Sequence, residues 1–198
     1  MGSGSFVLAL LLLQAPGARP APPPGMSWTE ADSLASRFDE LEARWKKGER
    51  PKKGARPVGV GQSELNSWIN LTMAPKLPPG LTGVSFTLGR DRIEGRGTVD
   101  LRQVGLQLDR NLEALAFFGA VPLEIAGTLR SENGFGTFVL ETVRLGSFPV
   151  PPSVVADLVR RNTKGKDYPE GFDLMAPFRL PYSVSRVRLE PGRAVLEF

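Results

Sequence analysis

The stretch from Leu123 to Arg161 limits most strongly what this chain can fold into. Leu123, Ile125 and Leu129 alternate with Glu124, Thr128 and Arg130, the two-residue period of a strand with one apolar face. Ser131-Glu132-Asn133-Gly134 turns the chain into a second β-rich run, which leaves through Leu145-Gly146-Ser147-Phe148-Pro149-Val150-Pro151-Pro152. Prolines then pre-set a first helical turn, and Val154, Val155, Leu158 and Val159 form a single stripe. A hairpin greasy on one side, followed by a helix greasy on one side, must bury the two surfaces together. The pattern predicts a sheet covering helices.

Other segments carry the same signals. Val84, Phe86 and Leu88 point one way from Ser85 and Thr87, Gly89-Arg90-Asp91 turns, and Ile93, Gly95, Gly97, Val99 and Leu101 oppose Arg92, Glu94, Arg96, Thr98 and Asp100. The two glycines on the apolar side leave space above the sheet or mark curvature. Val104, Leu106 and Leu108 continue the strand with a change of parity, and Asn111 to Ala120 is a short helix or a loop crossing. Parity also switches between Phe138/Leu140 and Val143/Leu145, and between Tyr182/Val184 and Val187/Leu189, the last hairpin turning at Glu190-Pro191-Gly192-Arg193. Bulges accommodate such switches and bend a ribbon. The fold class expected is therefore α+β, a long, strongly curved antiparallel sheet wrapped around one or two short helices, with an extra N-terminal helix.

That extra helix should begin at Ser27-Trp28-Thr29-Glu30, which has capping-box spacing, and carry the stripe Leu34, Phe38, Leu41 and Trp45. It can dock on the domain, a partner or a membrane surface. Val58 and Val60 suit a short strand, and Gln62 to Ile69 reads as a Ser-capped helix with Leu65, Trp68 and Ile69 on its buried face. Asn70-Leu71-Thr72 matches a glycosylation sequon. Trp28, Trp45 and Trp68 all fall on helical stripes, where core packing is the expected role.

Three regions follow: 1–21 as a signal peptide or short anchor, 22–57 as a capped amphipathic helix with a basic linker, and 58–198 as one α+β domain. Phe6 to Leu13 followed by Gln14-Ala15-Pro16-Gly17-Ala18 has the length and small-residue flank of a secretory leader, although no Lys or Arg precedes it. An exported protein, in the periplasm or cell envelope, is expected. Arg44, Lys46, Lys47, Arg50, Lys52, Lys53 and Arg56 stand against Glu49 alone, a local net of +6, which leaves −2 for the rest of a chain whose total is +4. The strip is a solvated linker or a peripheral contact with anionic lipid head groups. No nucleic-acid partner is expected, because the folded part is near neutral.

The chain has no histidine and no cysteine. Ser-His-Asp and Cys-His pairs cannot be built, the nitrogen and sulfur ligands of zinc are missing, and no disulfide can form. Neither a metal nor a cofactor is expected, and the chain reads as a non-enzyme. Asp91 with Glu94, or Glu94 with Asp100, could in principle supply a carboxylate acid and base, but they interleave with Arg92 and Arg96 as surface ion pairs do. Gly95-Arg96-Gly97 and Gly134-Phe135-Gly136 lie in strands or at a turn, where no helix start presents amides to a phosphate.

What remains is an apolar surface. Phe86, Leu88, Val99, Leu101, Leu123 and Ile125 are the sheet residues placed on it, and ten-residue strands of about 33 Å outrun helices of roughly 15 Å. Either loops complete the core or a trough remains for an acyl chain. The competing reading is a non-catalytic scaffold with a closed core that presents the helix at Leu34 to Trp45 to a partner.

Ser63-Glu64-Leu65-Asn66-Ser67-Trp68-Ile69, a Pro-Pro-Gly approach to Gly97-Thr98-Val99-Asp100-Leu101, and Leu145 to Pro152 leading into a helix occur in an order that resembles the YpmS-like and LmeA-like bacterial envelope proteins. These are similar to the tubular lipid-binding superfamily, and the match spans about Val58 to Phe198. The resemblance implies a curved sheet around a helix, an apolar groove and binding of a phospholipid or fatty acyl chain. It maps Leu65, Trp68, Ile69, Val154, Val155 and Leu158 as helix positions facing that groove.

Overall fold

The computed structural model describes residues 19–51, 54–103, 119–165 and 169–198. Along the chain come α1 (Trp28–Lys46), β1 (Val58–Gly61), α2 (Gln62–Ser67) running into a π-helical turn (Trp68–Thr72), and β2 (Leu81–Leu88). Next are β3 (Arg92–Asp100), β4 (Ala120–Glu132), β5 (Phe135–Leu145), β6 (Phe148–Pro149) and α3 (Pro152–Asn162). The chain finishes with β7 (Phe178–Arg179), β8 (Arg186–Glu190) and β9 (Arg193–Glu197). Val104 to Leu108, and Asn111 to Phe118, lie outside the described residues.

The long, strongly curved wrap around short helices is not what these strands build. They divide into a first sheet of order β1-β9-β8 and a second of order β2-β3-β4-β5-β6, with β7 also on β5, and neither is closed or strongly curled. Two causes are visible. The last hairpin pairs with β1 from Val58↔Leu196 to Gly61↔Arg193, so its strands are withdrawn from the larger sheet. The parity switch in β5 is absorbed by one register shift opposite Ala126 and Gly127, where Glu141 is left over. That extra residue returns Val143 and Leu145 to the buried side with Leu140, a local bulge that does not roll the sheet up.

The core of the larger sheet is Val99, Leu101, Val121, Leu140, Val143, Leu145 and Val150, with Val154 and Val155 of α3 packed against it. Glycines here admit neighbours rather than emptiness. A Cβ on Gly95 would lie 2.7 Å from Ile125 Cγ1 and 3.1 Å from Phe86 Cε1, and one on Gly127 would lie 2.5 Å from both Phe138 Cζ and the Val139 carbonyl oxygen. Large side chains therefore fill the space that the sequence left above Gly95.

Side chains cover the outer edge of β2. Phe86 of β2 gives its N–H to Asn66 Oδ1 at 2.7 Å and receives Asn66 Nδ2 on its carbonyl at 3.0 Å. Gln62 Oε1 accepts from the Leu88 N–H at 2.8 Å, and Asn70 Nδ2 donates to the Val84 carbonyl. One amide face of α2 and its π turn thus stands where another strand would pair. Asn70 Nδ2 also donates to the Asn66 carbonyl, so the acceptor nitrogen of the sequon is committed inside the fold. Among the described residues, β5 meets on its outer side only the two-residue strands β6 and β7, near its two ends.

Among the possible sites for α1, its own domain takes the N-terminal half. Ala31 and Leu34 are buried, and the Phe38 ring meets Trp68 edge-on with centroids 5.2 Å apart. Ser27 Oγ accepts from the Glu30 N–H, but the capping box is not closed locally. Ser67 Oγ takes the Ser27 N–H at 3.0 Å, and the Glu30 carboxylate accepts from Ser67 and Ser63. Ser63 is therefore not the cap of α2. Gly61 holds that position, and its N–H donates to Glu64 Oε2 at 2.8 Å while Arg37 of α1 pairs with Glu64.

Candidate functional site

Between the apolar side of the second sheet and α3 lies a cleft of about 600 Å³. Its sheet wall is Leu81, Val99, Leu123, Ile125, Phe138 and Leu140; its helix wall is Val155, Val159 and Thr163. Leu77, Pro78 and Pro79 close one side, and Leu174 contributes from the segment before β7. Lys76 and Thr163 supply the only polar side chains of the lining among the described residues.

Each wall follows from local sequence. The cross-strand pairs Leu81↔Val99, Val99↔Val121 and Leu123↔Leu145 align the two-residue periods of four strands on one side. Pro152 at the first turn starts α3, whose stripe turns Val155 and Val159 to the sheet. Helix and sheet do not close completely, so Leu123, Ile125, Phe138 and Val155 are only half-buried. A volume of this size falls within the roughly 300–1,000 Å³ of ligand pockets.

The sequence-predicted residues separate into groups. Val99, Leu123, Ile125 and Val155 line this cleft. Leu101 is part of the core beneath the same face, with Val154 packed against it. Phe86 lies over Gly95, and Leu88 is buried. Leu65 and Trp68 line a different cleft, of about 610 Å³, bounded by Phe38 of α1 and by Val184, Val187 and Leu196. Ile69 is half-buried and lines neither cleft; the Leu158 side chain lies outside the described residues. Sequence reasoning missed Lys76, Leu77, Pro78, Pro79, Leu81, Phe138, Leu140, Val159, Thr163 and Leu174, of which Phe138, Leu140 and Val159 stood in a periodic run.

The paired carboxylates are otherwise engaged. Asp100 accepts from Arg102 Nε at 3.0 Å and Nη2 at 2.9 Å, and from Gln103. The Arg102 bonds outweigh the opposing effect of burial and hold the Asp100 carboxyl at about 2. Glu94 pairs with Arg92 at 3.2 Å. Among the described residues, no three acidic side chains gather where a metal ion could be held.

The basic strip lies at the far end of α1. Arg44, Arg50 and Arg56 surround a cleft of about 530 Å³ whose floor includes Leu41, Val58 and Phe198. Trp45, expected to pack in a core, is 48% exposed at its rim. Lys52 and Lys53 lie outside the described residues.

No family model matches the chain, and no curated protein or solved structure matches it.

Proposed function

We propose that this chain is an exported, non-enzymatic protein that holds one acyl chain, of a fatty acid or phospholipid, in the cleft between the second sheet and α3. The observation that carries this reading is the lining: a volume of about 600 Å³ walled by aliphatic, proline and phenylalanine side chains, with Lys76 and Thr163 as its polar groups. Hydrocarbon is the guest that such a wall favours. Each methylene moved there from water contributes about 0.8 kcal/mol, so a chain can be held without a buried charge. Lys76 can meet a carboxylate or phosphate at the rim while the chain lies against Val99 and Leu123. The leader-like start of the sequence is the ground for export.

The scaffold alternative relied on α1 offering its stripe to a partner. Leu34 and Phe38 spend that stripe within the molecule, which favours the acyl-chain reading.

Protein purified from a membrane-bearing host should carry stoichiometric lipid in native mass spectra. After delipidation it should take up a fluorescent fatty acid, and Val155→Trp, which fills the cleft, should reduce uptake at least tenfold with little change in thermal midpoint. Neither lipid nor uptake in the unaltered protein, or full uptake by a folded Val155→Trp variant, would overturn the proposal.

A further inference from the structure

The end of α1 that leaves the domain is built unlike the end that docks on it. Arg44, Arg50 and Arg56 line the cleft beside Trp45, with Glu49 as the single acidic residue among the lining groups. No ion pair among the described residues involves these three arginines. On the strands, Arg92, Arg96, Arg186, Arg188 and Arg193 each meet a carboxylate, while Arg144 bonds the Ser147 carbonyl, Arg179 lies over the Phe135 ring, and Arg130 stands singly rather than clustered as these three are. Lys46 at the same end pairs with Glu42, but the charge of the three clustered arginines is offset by no ion pair among the described residues.

The tryptophans point the same way. Trp68 packs on Phe38, while Trp28 donates to the Pro20 carbonyl and lies under Arg19. Trp45 stands half-exposed over the apolar floor of Leu41, Val58 and Phe198. An indole with a wet edge and a greasy body, ringed by arginines, matches the water–hydrocarbon boundary of a bilayer.

We infer that this face docks on a membrane surface rich in anionic phospholipid, with Arg44, Arg50 and Arg56 on head-group phosphates and Trp45 entering the interface. Charge complementarity selects the lipid, and the apolar floor under Trp45 favours a bilayer over a nucleic acid, which would use the arginines but not the floor. The docking face is separate from the acyl-chain cleft, shares no lining residue with it, and stands whether or not that cleft holds lipid.

The full chain, mixed with vesicles of phosphatidylcholine containing about 30% phosphatidylserine, an anionic surface of the kind that attracts basic segments, should co-sediment at low salt and release as salt rises. It should leave pure phosphatidylcholine vesicles unbound. Bromine-labelled acyl chains should quench tryptophan emission in the unaltered protein and not in Trp45→Phe. Changing all three arginines to glutamine should weaken partitioning about 100-fold, from roughly fivefold per charge, with an unchanged unfolding midpoint because none of the three side chains makes an ion pair among the described residues. Equal binding to neutral vesicles, undiminished binding by a folded triple variant, or binding to a DNA duplex without any to vesicles would overturn the inference.

Discussion

Ser131 and Val187 join the two sheets through a single hydroxyl: Ser131 Oγ accepts the Val187 N–H at 2.7 Å and donates to the Val187 carbonyl at 2.8 Å. Ser131 belongs to β4 of the larger sheet and Val187 to β8 of the smaller one. Removing the hydroxyl leaves two part-buried backbone groups without partners. Ser131→Ala should lose about 1–3 kcal/mol in urea unfolding, and hydrogen exchange should rise first at Val187.

Asn66 gives Phe86 the same double bond from a helix. Asn66→Leu keeps similar bulk but can neither give nor take a hydrogen bond, so the edge of β2 is laid bare. The variant should unfold about 1–3 kcal/mol more easily, and light scattering should show stronger concentration-dependent association than in the unaltered protein.

Glu64 ties α1 to α2 and makes the stability acid-sensitive. Burial pushes its carboxyl up, but bonds from Arg37 and the Gly61 N–H, with the Arg37 charge, hold it below the ordinary glutamate value. A depressed native value means stability is fully present above the unfolded value of about 4.3 and is lost as pH falls through the lower native one. The midpoint of thermal unfolding should therefore be steady above about pH 5 and drop below pH 4. Glu64→Gln should start lower at neutral pH and show a shallower acid slope.

Gly127 is close to two groups at once, with Phe138 Cζ and the Val139 carbonyl each 2.5 Å from where a Cβ would stand. The carbonyl is part of the ladder and cannot swing aside as a side-chain end can. Gly127→Ala should cost about 1–3 kcal/mol through overpacking, and combining it with Phe138→Leu should recover only part of that loss. Gly59, with no atom within 4 Å of its Cβ position, supplies the control: Gly59→Ala should shift stability by under about 0.5 kcal/mol.

The hairpins β2–β3 and β4–β5 could be read from the chain because alternation is local and Gly89, Asn133 and Gly134 mark their turns. Where the last hairpin goes was not legible. Its place depends on Val58 meeting Leu196, a pairing between opposite ends of the domain that no local period reports. Glu30 and Glu64 show a related limit. Both stand at capping spacings, yet Glu30 serves the hydroxyls of another helix, and Glu64 fixes the start of α2 at Gly61 rather than at Ser63.

The cleft was visible where it is periodic. Val99, Leu123, Ile125 and Val155 repeat at strand or helix spacing, whereas Leu77, Pro78, Pro79 and Leu174 sit in irregular segments and meet the others only through the fold. Leu65 and Trp68 have helical spacing too, but docking of α1 turned them toward a different cleft. Trp45 continues the α1 stripe by spacing, yet it reaches only the rim of the cleft over Val58 and Phe198 and stays half-exposed there.

The helical amides set against β2 restrict how copies of this molecule could join. One flank of the larger sheet is already occupied from within, and among the described residues the other, along β5, has only β6 and β7 near its ends, so its middle is the flank left to recruit a neighbour. Growth through that sheet would stop at a back-to-back pair, because a second copy arriving there brings its own blocked flank and leaves nothing for a third.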